Sequence, residues 1–238
     1  MTWSLIARDA DGRLGVAIAS RFFAVGSLCV HTRGGIGALA TQALMNPLYG
    51  PQGLALLAAG RSAAETVATL SAADPGRSQR QIHVLPLRGA GAAHTGADCT
   101  GWCGHALHGD FSVAGNMLAG ARVIEATAEA FVAHPGLPLA QRLITAMQAG
   151  EAAGGDKRGR QSAALRVHGL EDYAELDLRV DDHADPLAEL QRLHAKSQER
   201  YVPFVACLAR RGHPGGEIDR ARLEAEIDRF HAARRNAS

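Results

Sequence analysis

The sequence predicts an α+β protein: two antiparallel sheets face to face, each covered by helices, in a four-layer αββα sandwich. Three observations carry this. Short apolar runs come in pairs joined by tight-turn dipeptides rather than singly between helices. Helical segments fall between those groups, giving the order strands, two helices, strands, two helices, strands, helix. The chain has 238 residues and 47% apolar content, enough for one large domain with a substantial core.

The elements follow in order. Residues 3–9 and 13–20 are apolar runs joined at Asp11-Gly12, a dipeptide suited to a hairpin turn. Residues 25–32 and 36–42 repeat the pattern around Gly34-Gly35. After the loop NPLYGPQG, residues 51–60 read as a helix ending at Gly60. Ser62 and Glu65 open the next helix with a capping-box pattern, and it stops before Asp74-Pro75-Gly76. Strands are expected at 80–87, 90–95 and 111–115. A long helix is expected from about Asn116 to Ala133, with Met117, Ala121, Ile124 and Ala128 on one face. Pro138 begins another helix, running to about Ala149, and strands return at 162–168 and 174–180. Asp185 and Pro186 supply N-cap and first turn for a helix over 184–193. The domain is expected to span 1–211, and the charged tail 212–238 to be helical.

The net charge of +1 gives no broad electrostatic case for nucleic acid or an anionic membrane. No basic leader precedes an apolar core, and no run approaches the roughly 18 apolar residues of a membrane span. A cytoplasmic protein is expected, with Cys29, Cys99, Cys103 and Cys207 reduced. Lys157 and Lys196 are the only lysines, so chemistry that needs one has two candidates.

Several residues can carry chemistry. Thr2 follows the initiator, and a small residue there permits removal of Met1. A free α-amine ordinarily titrates at about pH 7.7–8.0, so it can take the proton from the Thr2 hydroxyl as that group attacks a carbonyl. Alternatively, Thr2 simply opens an edge strand. The basic loop GGDKRGRQS (154–162) can present Arg158 and Arg160 to a carboxylate, with Asp156 holding Arg158 or Lys157 and Ser162 at the strand entry. It also reads as a solvated connection; the phosphate-loop spacing is absent. Asn116 in GNML caps a helix or donates to an oxyanion. His94, Cys99, Cys103 and His105 superficially suggest zinc, but the spacing is cramped, and His105 reads better as a polar contact beside a site. Ser20, Ser27 and Thr41 lie near strand ends, where they can orient a reacting amine or simply pack.

Together TWSLIARD, GRLGVAIASRFFAVGS, GALATQALMNPLYGPQGL, GNML, AGGDKRGRQSAALRV and LRVDDHADPLAEL resemble the uncharacterised bacterial family called domain of unknown function 1028. The resemblance spans about residues 2–195. It implies the αββα fold of N-terminal-nucleophile (Ntn) hydrolases, a group that includes proteasome subunits and penicillin acylases. It places Thr2 on the threonine that opens the family pattern, and GNML and 154–162 on its other polar motifs. Proteasome-type relatives tune the nucleophile with a lysine on an early strand; here none precedes residue 157.

The expected function is therefore an Ntn-type amidohydrolase acting on a small amide or peptide-like substrate, needing neither cofactor nor metal. Thr2 is the nucleophile, Asn116 the oxyanion donor, and Asp156, Arg158, Arg160, Ser162 and His105 the substrate side. A homodimer or other homo-oligomer is expected. The rival is a non-catalytic anionic-ligand-binding or assembly protein on the same scaffold; a zinc hydrolase using His94, Cys99, Cys103 and His105 is the third alternative.

Overall fold

Asp11-Gly12 closes the hairpin as expected, with Gly12 at φ +81°, a conformation that disfavours a Cβ. It joins β1 (Thr2–Arg8) to β2 (Leu14–Ser20). The computed structural model describes residues 2–236. The chain divides into two units, residues 1–191 and 192–238.

In the first unit, α1 (Gly26–Cys29) leads to β3 (Val30–Arg33) and β4 (Gly37–Ala43). Helices α2 (Tyr49–Ala58) and α3 (Ala63–Ala73) follow, then β5 (Arg80–Pro86), β6 (Ala92–Thr95), β7 (Trp102–Leu107) and β8 (Phe111–Leu118). Next come α4 (Ala121–Ala133), α5 (Leu139–Ala152), β9 (Ser162–His168), β10 (Leu176–Val180) and α6 (Pro186–Ser197). The second unit holds the end of α6, α7 (Tyr201–Val205) and α8 (Arg220–Asn236), with Arg200 gripping Glu224 through both oxygens at 2.9 and 2.5 Å. No helix among the described residues is long and apolar enough to cross a membrane.

The chain is thus mixed α+β with two antiparallel sheets. The six-stranded sheet runs β10-β9-β2-β1-β8-β7 and the four-stranded sheet β3-β4-β5-β6. Strand β1 lies inside its sheet, paired with β2 and β8, so Thr2 does not open an edge strand. Helices α4 and α5 pack on the first sheet, α2 and α3 on the second. Gly15 on β2 faces α5 so closely that a Cβ would lie 2.4 Å from Leu143.

Side chains of the two sheets meet in a shared apolar cluster: Ile6, Val16 and Ile18 from one, Ala38, Ala40 and Leu85 from the other. Because strand side chains alternate, the same faces can be followed along each strand. On β1 the face carrying Ile6 continues through Ser4 to Thr2. On β5 the face carrying Leu85 continues through His83 to Gln81. On β4 the face carrying Ala40 reaches Gln42. The shared interior is therefore apolar at one end and polar at the Thr2 end, with Ser4, Gln42, Gln81 and His83 all fully buried.

Most expected elements are present, including the Ser62–Glu65 capping box and Asp185, whose carboxylate accepts the Ala188 N–H at 3.1 Å. Three local readings are corrected. Residues 26–29 form a helical turn ahead of β3. Residues 102–107 form strand β7 rather than part of a loop. Residues 116–118 continue β8, and the helix begins only at Ala121, so Asn116 is no helix cap.

Candidate functional site

Thr2 heads a central strand, opposite Ser20 on one side and Asn116 on the other. It is buried, with 6% exposure. Its Oγ1 lies 3.0 Å from Ser20 Oγ. Its carbonyl oxygen accepts from Asn116 Nδ2 at 3.3 Å and from Gln42 Nε2 at 3.4 Å. Removal of Met1, on which a free amine depends, lies outside the described residues.

A hydrogen-bond network spreads from that carbonyl. Gln81 Oε1 accepts from Gln42 Nε2 at 2.8 Å and Asn116 Nδ2 at 3.1 Å. Gln81 Nε2 shares its two hydrogens among the Gly115 carbonyl at 2.9 Å, the Gly104 carbonyl at 3.1 Å and Thr95 Oγ1 at 2.9 Å. Ser4 donates its hydroxyl hydrogen to Gln42 Oε1 at 2.7 Å. That leaves Ser4 Oγ as acceptor for His83 Nε2 at 2.8 Å, so His83 Nδ1 accepts from Ser112 at 2.6 Å. Burial pushes the His83 imidazole down to about 3, which keeps it neutral as this directionality requires. His83 and Ser112 resemble a nucleophile–base pair, but both are fully buried, so the pair is structural.

Backbone strain gathers at the same end. Ala43, directly after Gln42, has φ +67°, and Met117, directly after Asn116, has φ +53°. Ala24, in the segment after β2, has φ +50°. Such conformations disfavour residues with a Cβ and persist where surrounding contacts impose them.

The loop between α5 and β9 is stitched to this end. Asp156, buried, accepts the Arg21 N–H at 2.8 Å, next to Ser20, and the Arg158 N–H at 2.8 Å. Its backbone bridges Leu118, two residues past Asn116. Lys157 reaches the same corner: a Cβ added to Gly101 would lie 3.4 Å from Lys157 Nζ and 3.1 Å from Met117 Cα.

The structure therefore brings Thr2, Asn116 and Asp156 together. Arg158 lies along Asp156, with Nη2 at 3.2 Å. The Arg160 side chain turns instead to Glu151 at 2.5 Å and Asp185 at 3.0 Å. Ser162 is buried, donating to the Phe22 carbonyl at 2.5 Å and accepting the Val25 N–H at 3.1 Å, which pins the segment after β2. His105 joins the network through Thr95 Oγ1 at 2.9 Å, and burial and His94 lower its pKa. Of the zinc alternative, His94 meets the Arg77 carbonyl at 2.9 Å and Cys99 the Arg80 carbonyl at 3.5 Å. Among the described residues no group of three His, Cys, Asp or Glu side chains is arranged to hold a metal. Sequence reasoning missed Gln42 and Gln81, although Gln42 shares a strand face with Ala38 and Ala40 and Gln81 shares one with His83 and Leu85.

Two cavities lie away from Thr2. One of 560 Å³ is lined by Arg8, Asp110, Phe131 and Arg142, at the opposite end of β1, about 20 Å along the strand from Thr2. The other, of 390 Å³, is lined by Gly35, Leu57 and Pro86. Around the Thr2 end, Phe22, Phe23, Leu44 and Trp102 are exposed.

The family described as a family of unknown function, DUF1028, matches residues 2–190. Among solved structures, protein SPO2555 from Silicibacter pomeroyi, a DUF1028 protein, is similar with a TM-score of 0.85 and 30% identity. That match covers 92% of this chain and 96% of the other. Anbu (ancestral beta-subunit) from Yersinia bercovieri matches with a TM-score of 0.38 and 11% identity, over 82% of this chain and 94% of the other. No curated protein matches.

Proposed function

The chain belongs to the DUF1028 family, and on that premise we propose that it is an Ntn-type amidohydrolase, with its two sheets and their helices forming the four-layer αββα sandwich of that class. The observation that carries the reading is the convergence on Thr2: a buried hydroxyl 3.0 Å from Ser20 Oγ, on a residue whose carbonyl is gripped by two side-chain amides. A dense polar network and strained backbone at one strand end are what a reacting group needs for a fixed geometry.

In this reading the amine freed by Met1 removal accepts the Thr2 hydroxyl proton as Oγ1 attacks the substrate carbonyl carbon. The C–N bond breaks, the leaving amine takes that proton, and an acyl ester remains on Thr2. Water then attacks the ester, releases the acid and restores the hydroxyl. Both Asn116 amide hydrogens are engaged, one by the Thr2 carbonyl and one by Gln81. Its role as oxyanion donor requires it to exchange the longer bond, at 3.3 Å, for the developing charge. Arg158 is the candidate for a substrate carboxylate; Arg160 serves only if it leaves Glu151 and Asp185. The substrate is a small amide, and the protein acts in the cytoplasm as a homo-oligomer.

A second reading, a non-catalytic anionic-ligand-binding or assembly protein, is favoured by one observation: both cavities described lie away from Thr2. N-terminal mass spectrometry and an amide-substrate screen of wild type against Thr2→Ala separate the two. A processed terminus with activity abolished in Thr2→Ala supports the hydrolase. A retained Met1, or activity that survives in the variant, rejects it.

A further inference from the structure

We propose that Gln81 is the positioning residue of the Thr2 site: its side chain orients the amides of Gln42 and Asn116 so that both present a hydrogen to the Thr2 carbonyl. The inference rests on the reading of Thr2 as the reacting residue, and it concerns a residue on the opposite sheet.

The orientation of every amide here follows from two backbone groups. The carbonyls of Gly104 and Gly115 can only accept, and both face the same end of the Gln81 side chain. That end must be Nε2, so Oε1 must point at Gln42 and Asn116. An oxygen there requires each neighbour to turn its nitrogen inward. Each nitrogen has a second hydrogen, and in both cases it goes to the Thr2 carbonyl. Reversing Gln81 would set its nitrogen against two nitrogens and its oxygen against two carbonyl oxygens.

An apolar side chain here would leave the Gly104 and Gly115 carbonyls and the Gln42 and Asn116 amides without this partner. Buried polar networks specify a unique geometry when fully satisfied and are unfavourable when not. This one is satisfied, and it ends at Thr2. The Gln81 bonds, at 2.8 and 3.1 Å, are shorter than the 3.3 and 3.4 Å bonds to the Thr2 carbonyl. Gln81 therefore fixes the two amides, and the amides hold the peptide plane between Thr2 and Trp3. With that plane fixed and Oγ1 against Ser20, the direction of the Thr2 hydroxyl and nitrogen is set. The strained Ala43 and Met117 sit beside Gln42 and Asn116, where they aim the same two side chains.

The test compares Gln81→Met with Gln81→Glu. Methionine fills the volume and removes every polar atom. A glutamic acid buried here stays protonated, keeps the acceptor oxygen and keeps one donor. Thr-Trp occurs once in the sequence, at residues 2–3. Threonine labelled at its carbonyl carbon and tryptophan labelled at nitrogen therefore report this one peptide by NMR. In Gln81→Met the Thr2 carbonyl resonance should move upfield, and amidase kcat should fall about 100-fold with KM unchanged. Gln81→Glu, with one donor in place of two, should stay closer to wild type than Gln81→Met on both readouts. A folded Gln81→Met protein with an unshifted resonance overturns the proposal, as does an unchanged kcat. If Gln81→Met does not fold, Gln81→Asn, whose amide is one methylene short of its partners, is read by the same two criteria. Activity surviving in Thr2→Ala would reject the nucleophile alone, and the carbonyl shift would still decide the role of Gln81.

Discussion

His83 offers a direct measurement of how firmly the polar network is closed. Its ring is fully buried and sits between Ser4 at 2.8 Å and Ser112 at 2.6 Å. The Ser4 hydrogen is already given to Gln42, so the ring donates to Ser4 and accepts from Ser112. Protonation would place a second N–H against the Ser112 hydroxyl and bury a charge. Burial accordingly holds the native imidazole at about 3, against roughly 6.5 when unfolded. The native pKa is depressed, so the unfolded chain takes up the proton first. The stability contribution is complete above about pH 6.5 and is lost as pH falls toward 3. At pH 5 the loss from this one group is about 2 kcal/mol. Urea unfolding at pH 7 and pH 5 measures it, in wild type and in His83→Gln, whose amide keeps one donor and one acceptor but does not titrate. Burial also lowers His31, His105, His168 and His194, but these are common to both proteins and cancel in the comparison. Wild type should lose about 2 kcal/mol more than the variant over this interval. Equal losses would show that the ring titrates normally and that the directional network is wrong.

Two further outcomes follow from the same end of the molecule. Asp74 accepts from Asn46 at 3.0 Å, Tyr49 at 2.8 Å, the Gly76 N–H at 2.7 Å and Arg80 at 3.1 Å, which holds its carboxyl below the usual range. Asp74→Asn should lower unfolding free energy by about 2 kcal/mol at pH 7, and by less below pH 4, where the unfolded carboxyl is protonated; a pH-independent loss would contradict this. Ser20→Ala removes the Thr2 Oγ1 partner, so an active enzyme should lose about 1 kcal/mol of transition-state stabilisation, a factor of about 5 in kcat, with its melting temperature little changed. Unaltered kcat would remove Ser20 from the site.

Local chemistry made much of the fold legible. Asp11-Gly12 gave a turn, Ser62 and Glu65 a helix start and Asp185 another, because each signal acts within a few residues. Readings failed where distant contacts decide. The stretch Gly115-Asn116-Met117 has the composition of a helix entrance. Yet Asn116 finds its partners on β1 and β5, so the chain stays extended to Leu118 at the expense of strain at Met117. β7 was hidden because Cys103, Gly104 and His105 do not alternate in hydropathy, and the strand covers the sheet edge while half-exposed.

The site was legible at its two ends and not in the middle. Thr2 and Asn116 stood out because each has a chemical identity of its own. Gln42 and Gln81 did not, since a single glutamine on a strand is ordinarily a surface residue. The period of two was nevertheless available: Gln81, His83 and Leu85 share one face, as do Thr2, Ser4 and Ile6. Each face passes from polar to apolar in the same direction, and two antiparallel sheets can bury both only by placing polar end against polar end. That pairing leaves four polar side chains, from Ser4, Gln42, Gln81 and His83, buried away from bulk water. They are satisfied by one another, by Ser112 and Asn116, by the Gly104 and Gly115 carbonyls and by the Thr2 carbonyl, so the register that hides the core also fixes the first described residue of the chain.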